Sequence, residues 1–281
     1  AIYNDNINGN DFGHVRVYQY TNNDWQQIGS DINGEAPSDR SGWSVSLSGN
    51  GNIVAISSAS NIGDNIGYGT GHVRVYDYVK NRNPEWKQLG TDIDGEASGD
   101  WTIGKYYNNN ISLSNDGTLI AIGGPGNDDG DGGNKSGHVR VYKYVSGLYV
   151  SDWFKIGDDI DGEAANDEFG YSLSLSKNAS TLVVGAPFNS GAGHAYTYKL
   201  IEQPSIKSIV KMGMPINGKA ASDSFGYAVT CNADGTVFAA AAPFNNANGT
   251  NSGHVRVYKY FNPNDAVDNY NDHKYFGVIP T

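Results

Sequence analysis

The chain has little of what usually links or anchors a protein. Its 281 residues include one cysteine and two methionines, and no apolar run approaches the length of a membrane span. A single cysteine forms neither an internal disulfide nor a thiolate metal site. Lys and Arg number 19 against 30 Asp and Glu, which gives a formal net charge of −11. Because nucleic acids and anionic lipid surfaces attract basic patches, we expect no nucleic-acid partner and no membrane insertion.

Glycine and aromatic residues are abundant instead. The chain contains 37 Gly, 19 Tyr, 9 Phe and 5 Trp. Glycine supplies the backbone conformations of tight turns, and aromatic side chains suit a pleated surface. The composition therefore predicts an all-β protein with many short connections.

One six-residue stretch recurs along the chain and divides it into units. The sequence Gly-His-Val-Arg-Val-Tyr starts at Gly13, Gly71, Gly137 and Gly253, and a degraded copy starts at Gly193. Apolar and polar residues alternate within it, which is typical of a strand. A repeat of roughly sixty residues indicates an array of similar supersecondary units.

The third unit shows the content of each unit most clearly. Alternating or buried-looking segments occupy residues 169–175, 182–187 and 193–198, and a fourth strand is carried by the segment that contains Trp153 in the preceding unit. Turn-rich segments such as Asp-Gly-Glu-Ala connect one unit to the next. We therefore predict four strands per unit.

Two dipeptide and tripeptide signatures within these strands resemble the FG-GAP repeats of the integrin alpha-subunit propeller. The signatures are Phe169-Gly170 with Gly185-Ala186-Pro187, and Phe225-Gly226 with Ala241-Ala242-Pro243. The resemblance implies a β-propeller of four-stranded antiparallel blades. In that arrangement the Phe-Gly strand is innermost, the Gly-Ala-Pro strand second, the Gly-His-Val-Arg-Val-Tyr strand third and the Trp strand outermost.

The resemblance also implies where a ligand would bind. The loops after the second strands and the Asp-Gly-Glu-Ala connections should share one face, which binds ligands in the family. These loops are residues 57–70, 124–136, 188–192 and 244–252. We expect a protein or glycan ligand on this loop face.

The whole chain, residues 1–281, is predicted to form a single propeller with five blade equivalents. The blades are residues 1–29 (partial), 41–90, 103–157, 169–213 and 225–277. The first blade lacks an innermost strand, and the last residues supply no replacement. The chain is therefore expected to be an excerpt of a seven-bladed propeller or, alternatively, a five-bladed ring completed by further residues. Either arrangement predicts assembly with further repeats or copies.

Calcium is the one cofactor that the sequence suggests. Family members often bind it in Asp-x-Asp-x-Asp-Gly hairpins, but the corresponding hairpins here offer at most one carboxylate each, so those sites are expected to be absent. The acidic cluster Asp128, Asp129 and Asp131 is the remaining candidate. The alternative is that the cluster is a solvated turn.

Arginine and glutamate recur together and predict ion pairs between neighbouring blades. The predicted pairs are Arg16 with Glu35, Arg74 with Glu96, and Arg140 with Glu163. In the following unit both residues change, to Tyr196 and Lys219. A bidentate arginine–carboxylate contact would tie blades together. Alternatively, each arginine stem covers apolar surface while its head stays in water.

No catalytic motif is recognisable, and we therefore expect that the protein is not an enzyme. Five histidines recur once per unit, which favours a structural role: His14, His72, His138, His194 and His254. Four sequons are candidate glycosylation sites: Asn110, Asn134, Asn178 and Asn248.

The sequence leads to three functional hypotheses. The first is a non-enzymatic extracellular or cell-surface module for binding, adhesion or structural assembly, which uses its loop face. The second is a hydrolase or lyase that acts on polysaccharide, which would require carboxylates or histidines converging on axis-facing loops. The third is a shell or filament subunit of a virion or cell surface.

Overall fold

A computed structural model describes residues 1–3, 11–58, 70–95, 110–128, 133–203 and 206–260. Twenty-two strands and one three-residue 3₁₀ helix make up the regular structure of these residues. Within them, no helix has the length and apolar character needed to cross a bilayer. The predicted all-β class is confirmed.

The first unit forms two small ribbons. Strand β1 (His14–Val15) pairs with β4 (Ile32–Asn33), and β2 (Tyr18–Thr21) pairs with β3 (Asp24–Gln27). The third-strand sequence is thus divided between β1 and β2.

Three larger sheets and one smaller sheet follow. The first large sheet consists of β5 (Ser41–Leu47), β6 (Ile53–Ser58), β7 (His72–Tyr78), β8 (Trp86–Gln88) and β9 (Ile93–Asp94), and the second of β10 (Ile111–Leu113), β11 (Leu119–Gly124), β12 (His138–Ser146), β13 (Ser151–Lys155) and β14 (Ile160–Asp161). The third large sheet consists of β15 (Ser172–Leu175), β16 (Thr181–Ala186), β17 (His194–Gln203), β18 (Ile206–Lys211) and β19 (Ile216–Asn217). The smaller sheet consists of β20 (Ala228–Cys231), β21 (Val237–Ala242) and β22 (His254–Lys259). The 3₁₀ helix, Asn189–Gly191, lies between β16 and β17.

The sheets are antiparallel blades arranged as a β-propeller. Their strand orders are β5-β6-β7-β8, β10-β11-β12-β13, β15-β16-β17-β18 and β20-β21-β22. Each sheet begins with the Phe-Gly strand or its equivalent, followed by the Gly-Ala-Pro strand and the Val-Arg-Val strand. The strand order implied by the resemblance is confirmed. The predicted division of the complete chain into five blades includes residues outside the described ranges and stays a prediction.

The connection after each Trp strand is more regular than a turn. In four units its Ile-Asp or Ile-Asn segment returns to pair with the start of the third strand, as in His72↔Asp94 and His138↔Asp161. The third strand therefore meets two successive partners on the same edge. This pairing fixes the connection at the end of the blade that carries the loops.

The core lies between neighbouring blades. One buried cluster joins Val139 and Val141 of β12 to Leu173 of β15 and Val184 of β16. The blades approach most closely at two glycines: a side chain added at Gly123 or Gly185 would overlap the carbonyl oxygen of Gly170 or Gly226, respectively. Burial between sheets is typical of an array in which each unit is stabilised by its neighbours.

A large aromatic side chain stabilises most when its area is buried, so the sequence predicts that the rings of Trp25, Trp86 and Trp153 pack between neighbouring elements. Trp86 and Trp153 are 4% and 8% exposed, which confirms the prediction for both. Their indole nitrogens donate to the backbone oxygens of Ile28 and Leu89 in the preceding unit, at 3.2 and 2.8 Å. Trp25 is 64% exposed, so the prediction is wrong for this residue. Its ring contacts only Tyr20 among the described aromatic residues, because no described unit precedes it.

Candidate functional site

A buried aspartate organises the connection that enters each blade. Asp39, Asp167 and Asp223 occur at the same offset after the Gly-x-Ala segment, and all three are buried. In each case the Oδ2 atom accepts a hydrogen bond from the backbone nitrogen of an alanine, at 2.8, 2.9 and 3.0 Å. The aspartate therefore closes a turn at the edge of the loop face.

Positive backbone angles flank these aspartates. Ser222 and Ser224 have φ values of 66° and 53°, and the residues on either side of Asp39 and Asp167 have similar values. Strained backbone is often found at functional sites. Here it recurs in every described copy of the turn, so it belongs to the architecture of the repeat.

An asparagine from the following loop completes the turns of Asp167 and Asp223. The side-chain amide of Asn245 donates to Asp223 Oδ2 at 2.8 Å, and Asn189 contacts Asp167 in the same way. Both asparagines are buried. These bonds join the connection to the loop after the second strand, and so hold the two parts of the loop face together.

Four aromatic rings form a continuous row from the blade of β15–β18 to the blade of β20–β22. Tyr171 contacts Phe188 and Tyr227 with ring centroids 5.8 and 4.9 Å apart, and Tyr227 contacts Phe244 at 6.2 Å. We call these four residues the aromatic row. Phe188 and Phe244 are 43% and 42% exposed, and Tyr227 is also exposed. Three of the four rings therefore present apolar surface to solvent, whereas Tyr171 is buried and joins its neighbours through edge-to-face and tilted contacts.

A cleft of about 460 Å³ opens where the row meets the loop face. Its lining consists of Phe188, Gly191, Ser222, Ser224, Phe244, Asn246 and Asn251. The backbone nitrogen of Ser222 donates to Gly191 oxygen, and the nitrogen of Asn251 donates to Asn246 Oδ1 at 2.7 Å, which brace opposite sides. The volume is within the range of ligand pockets, about 300–1,000 Å³. Hydroxyl, amide and aromatic groups line it, and none of these residues carries a charge.

Asp223 is the carboxylate most closely associated with the cleft. It is fully buried between two lining residues, Ser222 and Ser224. Its Oδ2 atom accepts the two bonds described above, whereas its Oδ1 atom has no hydrogen-bond partner in the described part of the chain. A buried oxygen without a donor is costly to maintain, which singles this group out from Asp167.

The arginines pair differently from the sequence prediction. Arg16 contacts Asp31 through two nitrogens at 2.8–3.0 Å, and Arg74 and Arg140 contact Asp92 and Asp159 in the same way. The partner is the aspartate that opens the Asp-Ile segment. The chain returns there to pair with the third strand, so this aspartate comes within reach of the arginine on that strand.

The glutamates instead reach forward into the next blade. Glu35 contacts Arg74, and Glu163 contacts Lys211 at 2.6 Å and the Tyr196 hydroxyl at 3.2 Å. Tyr196 stands where other units have arginine. The predicted pairs of Arg16 with Glu35 and Arg140 with Glu163 are therefore corrected: a glutamate meets the third strand of the following unit. Glu96 lies outside the described residues.

Burial and pairing oppose each other in these contacts. Burial pushes the pKa of Asp159 upward, but hydrogen bonds from Arg140 and Lys155 outweigh it and lower the pKa to about 2. At Asp92 burial likewise pushes the pKa upward, but the hydrogen bonds from Arg74 and Gln88 outweigh burial, and the pKa is lowered. At the exposed Asp31 the hydrogen bond from Arg16 dominates and lowers the pKa to about 2. All three aspartates are charged at neutral pH.

The acidic cluster proposed for calcium is described only in part. Asp128 accepts a bond from the backbone nitrogen of Lys135 at 2.6 Å, whereas Asp129 and Asp131 lie outside the described residues. Sequence analysis missed another group with the right atoms, formed by Glu35, His72 and Asp92. Arg74 already contacts both of its carboxylates, so the group is best described as an ion-pair network.

The recurring histidines occupy equivalent structural positions at the start of the third strands. His14, His72, His138 and His194 are buried. Burial lowers the pKa of His72 and His194, which favours their neutral forms. Neutral, buried side chains at a repeated position agree with the structural role that the sequence indicates.

The four sequons differ in accessibility. Asn110 is buried and donates to the backbone oxygen of Gly123, so a glycan could not be attached to it in this fold. The Asn178 side chain accepts bonds from Ser176 and Ser180. Asn134 and Asn248 are exposed on loops.

Comparison with known proteins supports the fold and the repeat. Residues 160–198 match the family model of the FG-GAP repeat, so the resemblance inferred from the sequence is confirmed in this stretch. No curated protein matches the sequence. A periplasmic gluconolactonase from Pseudomonas aeruginosa has a similar structure, with a TM-score of 0.52, 12% identity, and coverage of 87% of this chain and 60% of that one.

A second solved structure gives the same result. A putative 6-phosphogluconolactonase from Bacteroides fragilis NCTC 9343 has a TM-score of 0.52 and 12% identity, over 90% of this chain and 62% of that one. The chain thus spans about three fifths of the length of both proteins. At this identity the likeness shows the fold alone.

These structures correct one prediction. The sequence analysis favoured a protein that is not an enzyme and kept an enzyme as the alternative, but the propellers similar to this chain include a gluconolactonase and a putative 6-phosphogluconolactonase. The prediction that the protein is not an enzyme is therefore wrong as an inference from its architecture.

The aspartate turns and the aromatic row were not identified from the sequence. Both leave a signal there, because aspartate recurs at a fixed offset, and the Phe-Gly and Ala-Pro signatures are followed by Tyr171 and Tyr227 and by Phe188 and Phe244. Only the third and fourth units carry both aromatic positions. Comparison of aligned units would have revealed them, but their convergence into one row depends on the packing of two blades.

Proposed function

We propose that this propeller is a hydrolase or lyase that acts on a carbohydrate bound in the cleft beside the aromatic row. The observation that carries the proposal is the combination of exposed rings with uncharged hydroxyl and amide groups in one cleft. The C–H face of a sugar ring is apolar and packs against an aromatic ring, whereas its hydroxyls need donors and acceptors. Phe188 and Phe244 would supply the aromatic surface. Ser222, Ser224 and Asn246 would supply the donors and acceptors.

Asp223 is the group that we propose for proton transfer. Hydrolysis of a glycosidic bond ordinarily uses two carboxylates, one of which moves a proton. Elimination from a sugar ring and opening of a lactone also need a group that gives or takes a proton. Asp223 lies between two residues of the cleft and keeps one oxygen without a protein donor. A sugar hydroxyl or a water molecule that reached this oxygen would supply the missing hydrogen bond.

The fold is compatible with this chemistry but does not select it. The similar structures named as gluconolactonases act, by their names, on sugar lactones, which are cyclic esters of sugar acids. Ring opening of a sugar lactone is therefore one reaction to test, and cleavage of polysaccharide is the other.

The test is an activity screen with matched variants. The purified protein would be incubated with sugar lactones and with neutral and acidic polysaccharides, and acid release, reducing ends and unsaturated products would be measured. Asp223→Asn should lower turnover at least tenfold while ligand binding remains. Asp39→Asn alters the same turn at the entry to the blade that contains β5–β8, none of whose residues lines the cleft, and should leave turnover close to that of the unaltered protein.

Equal loss in the two variants, with equal loss of thermal stability, would show a structural role for Asp223. The double variant Phe188→Ala/Phe244→Ala then provides a separate test, because it removes rings that face solvent. Unchanged turnover in that double variant would reject the cleft as the site. Absence of turnover on every substrate class would reject the proposed function.

A further inference from the structure

We infer that the cleft and aromatic row recognise a neutral saccharide chain of several sugar units, and not a phosphorylated or acidic sugar. The inference rests on the proposed function, since it specifies the substrate class of the same site. It concerns charge and length, which the fold does not determine.

The first argument is the charge of the cleft. Its seven lining residues are aromatic, hydroxyl-bearing, amide-bearing or glycine, so no cation is present in the lining to pair with a phosphate or carboxylate. Recognition of such anions ordinarily uses arginine or lysine. Burying a phosphate against Ser222 and Ser224, on either side of the buried Asp223, would place it beside an acidic side chain with no cation in the lining to compensate.

The cations near the cleft, Lys211, Lys219 and Arg256, all lie outside its lining, and two of them are engaged elsewhere. The Arg256 guanidinium stacks on the Phe225 ring at 3.9 Å and donates to Asn217 oxygen at 2.6 Å. Lys211 pairs with Glu163 at 2.6 Å. Neither residue is part of the cleft lining, and the chain as a whole carries a net charge of −11. An anionic substrate would therefore approach a surface that repels it.

The second argument is length. The aromatic row consists of four rings, each in contact with the next, and it crosses from the blade of β15–β18 to the blade of β20–β22. Two exposed rings, Phe188 and Phe244, border the cleft, and Tyr227 adds exposed aromatic surface between them along the row. Successive aromatic surfaces suit a ligand with successive apolar faces, which a chain of sugar units has and a single sugar lacks.

The third argument favours a glycan over a peptide. An extended peptide needs partners for its backbone, most often the open edge of a sheet. The cleft is lined instead by side chains from loops, and the amide and hydroxyl groups of Asn246, Asn251, Ser222 and Ser224 both donate and accept. Vicinal sugar hydroxyls also donate and accept, so they match such groups.

The test is titration of the intact chain with defined probes in a calorimeter. The probes are neutral hexasaccharides of glucose, xylose, mannose and galactose, the corresponding disaccharides, 6-phosphogluconate, and an oligogalacturonate. At least one neutral hexasaccharide should bind, at least tenfold more tightly than its disaccharide and with little dependence on salt. Phe188→Ala/Phe244→Ala should weaken it at least tenfold, whereas Phe154→Ala, an exposed ring on β13 of another blade, should not.

The two proposals fail in different ways. Binding of a neutral chain without any turnover would support this inference and count against the proposed function. Tighter binding of 6-phosphogluconate, or turnover or tighter binding of oligogalacturonate, dependent on Phe188 and Phe244, would overturn the inference without counting against the function. Failure of every neutral hexasaccharide to bind, or binding only of a peptide such as a randomised decamer pool, would also overturn it.

Discussion

The first unit and the second four-stranded blade carry closely similar sequences but bury them to different degrees. In the blade that contains β12 and β13, Trp153 is 8% exposed and the Arg140 side chain is also 8% exposed. The corresponding residues of the first unit, Trp25 and Arg16, are 64% and 46% exposed. The two strands pair in the same order, so the repeat sequence determines strand conformation in both. Burial comes from the neighbouring blade.

The largest expected difference between the two regions is at tryptophan. Trp153→Ala would leave a cavity against Tyr144 and the Leu89 carbonyl, and should lower the free energy of unfolding by about 3–5 kcal/mol. Trp25→Ala removes an exposed ring and should change it by less than about 0.5 kcal/mol. Urea denaturation followed by circular dichroism measures both. Similar losses in the two variants would show that Trp25 is buried in solution.

The arginines should differ in the same direction. Arg74→Met keeps most of the stem but leaves Glu35 and Asp92 without their shared cation, which should cost about 3 kcal/mol. Arg16→Met alters an exposed pair with Asp31 and should have a much smaller effect, further reduced by salt. The double variant Arg74→Met/Asp92→Asn should recover part of the loss. A double variant less stable than the single one would contradict the ion-pair account.

Close packing between blades gives the next largest effect. Gly185→Ala would force a methyl group against the carbonyl oxygen of Gly226 in the next blade, at an expected cost of about 1–3 kcal/mol. The equivalent position in the last described sheet is Ala241, where a side chain is already present. Ala241→Gly should therefore cost no more than about 1 kcal/mol, from backbone entropy alone. Thermal unfolding of both variants tests whether the approach of the two blades sets the requirement for glycine.

Much of the fold was predictable because it depends on local pattern. Alternation in Gly-His-Val-Arg-Val-Tyr and the Phe-Gly and Gly-Ala-Pro signatures identified the strands and their order within a sheet. The exposure of Trp25 was not predictable, since its sequence context matches that of Trp153. The contact that buries Trp153 is with Leu89 of the preceding blade, and such a contact depends on the assembly of units.

The candidate site was less predictable, for a related reason. The arginine–glutamate pattern correctly indicated charged contacts, but the sequence does not show that the Asp-Ile segment returns to pair with β7 and β12, which brings Asp92 and Asp159 to the arginines. The aromatic row likewise joins Tyr171 to Tyr227 across two blades. Both features depend on contacts between residues about twenty to sixty positions apart, which alternation does not encode.

The smallest expected effect compares Asp159 with Asp31 as the pH falls. Both have a pKa of about 2 in the folded protein, below the ordinary value of 3.8, so each stabilises the fold above about pH 4 and loses that contribution as the pH falls toward 2. The contribution of Asp159 should be under about 1 kcal/mol, since solvent screens a partly exposed pair. Asp159 is the more buried, and it also bonds Lys155 at 2.6 Å. Asp159→Asn should therefore flatten the stability profile between pH 5 and pH 2 more than Asp31→Asn does. Urea midpoints measured across that range test the comparison, and equal flattening by the two variants would show that the neighbouring blade adds nothing to the strength of this pair.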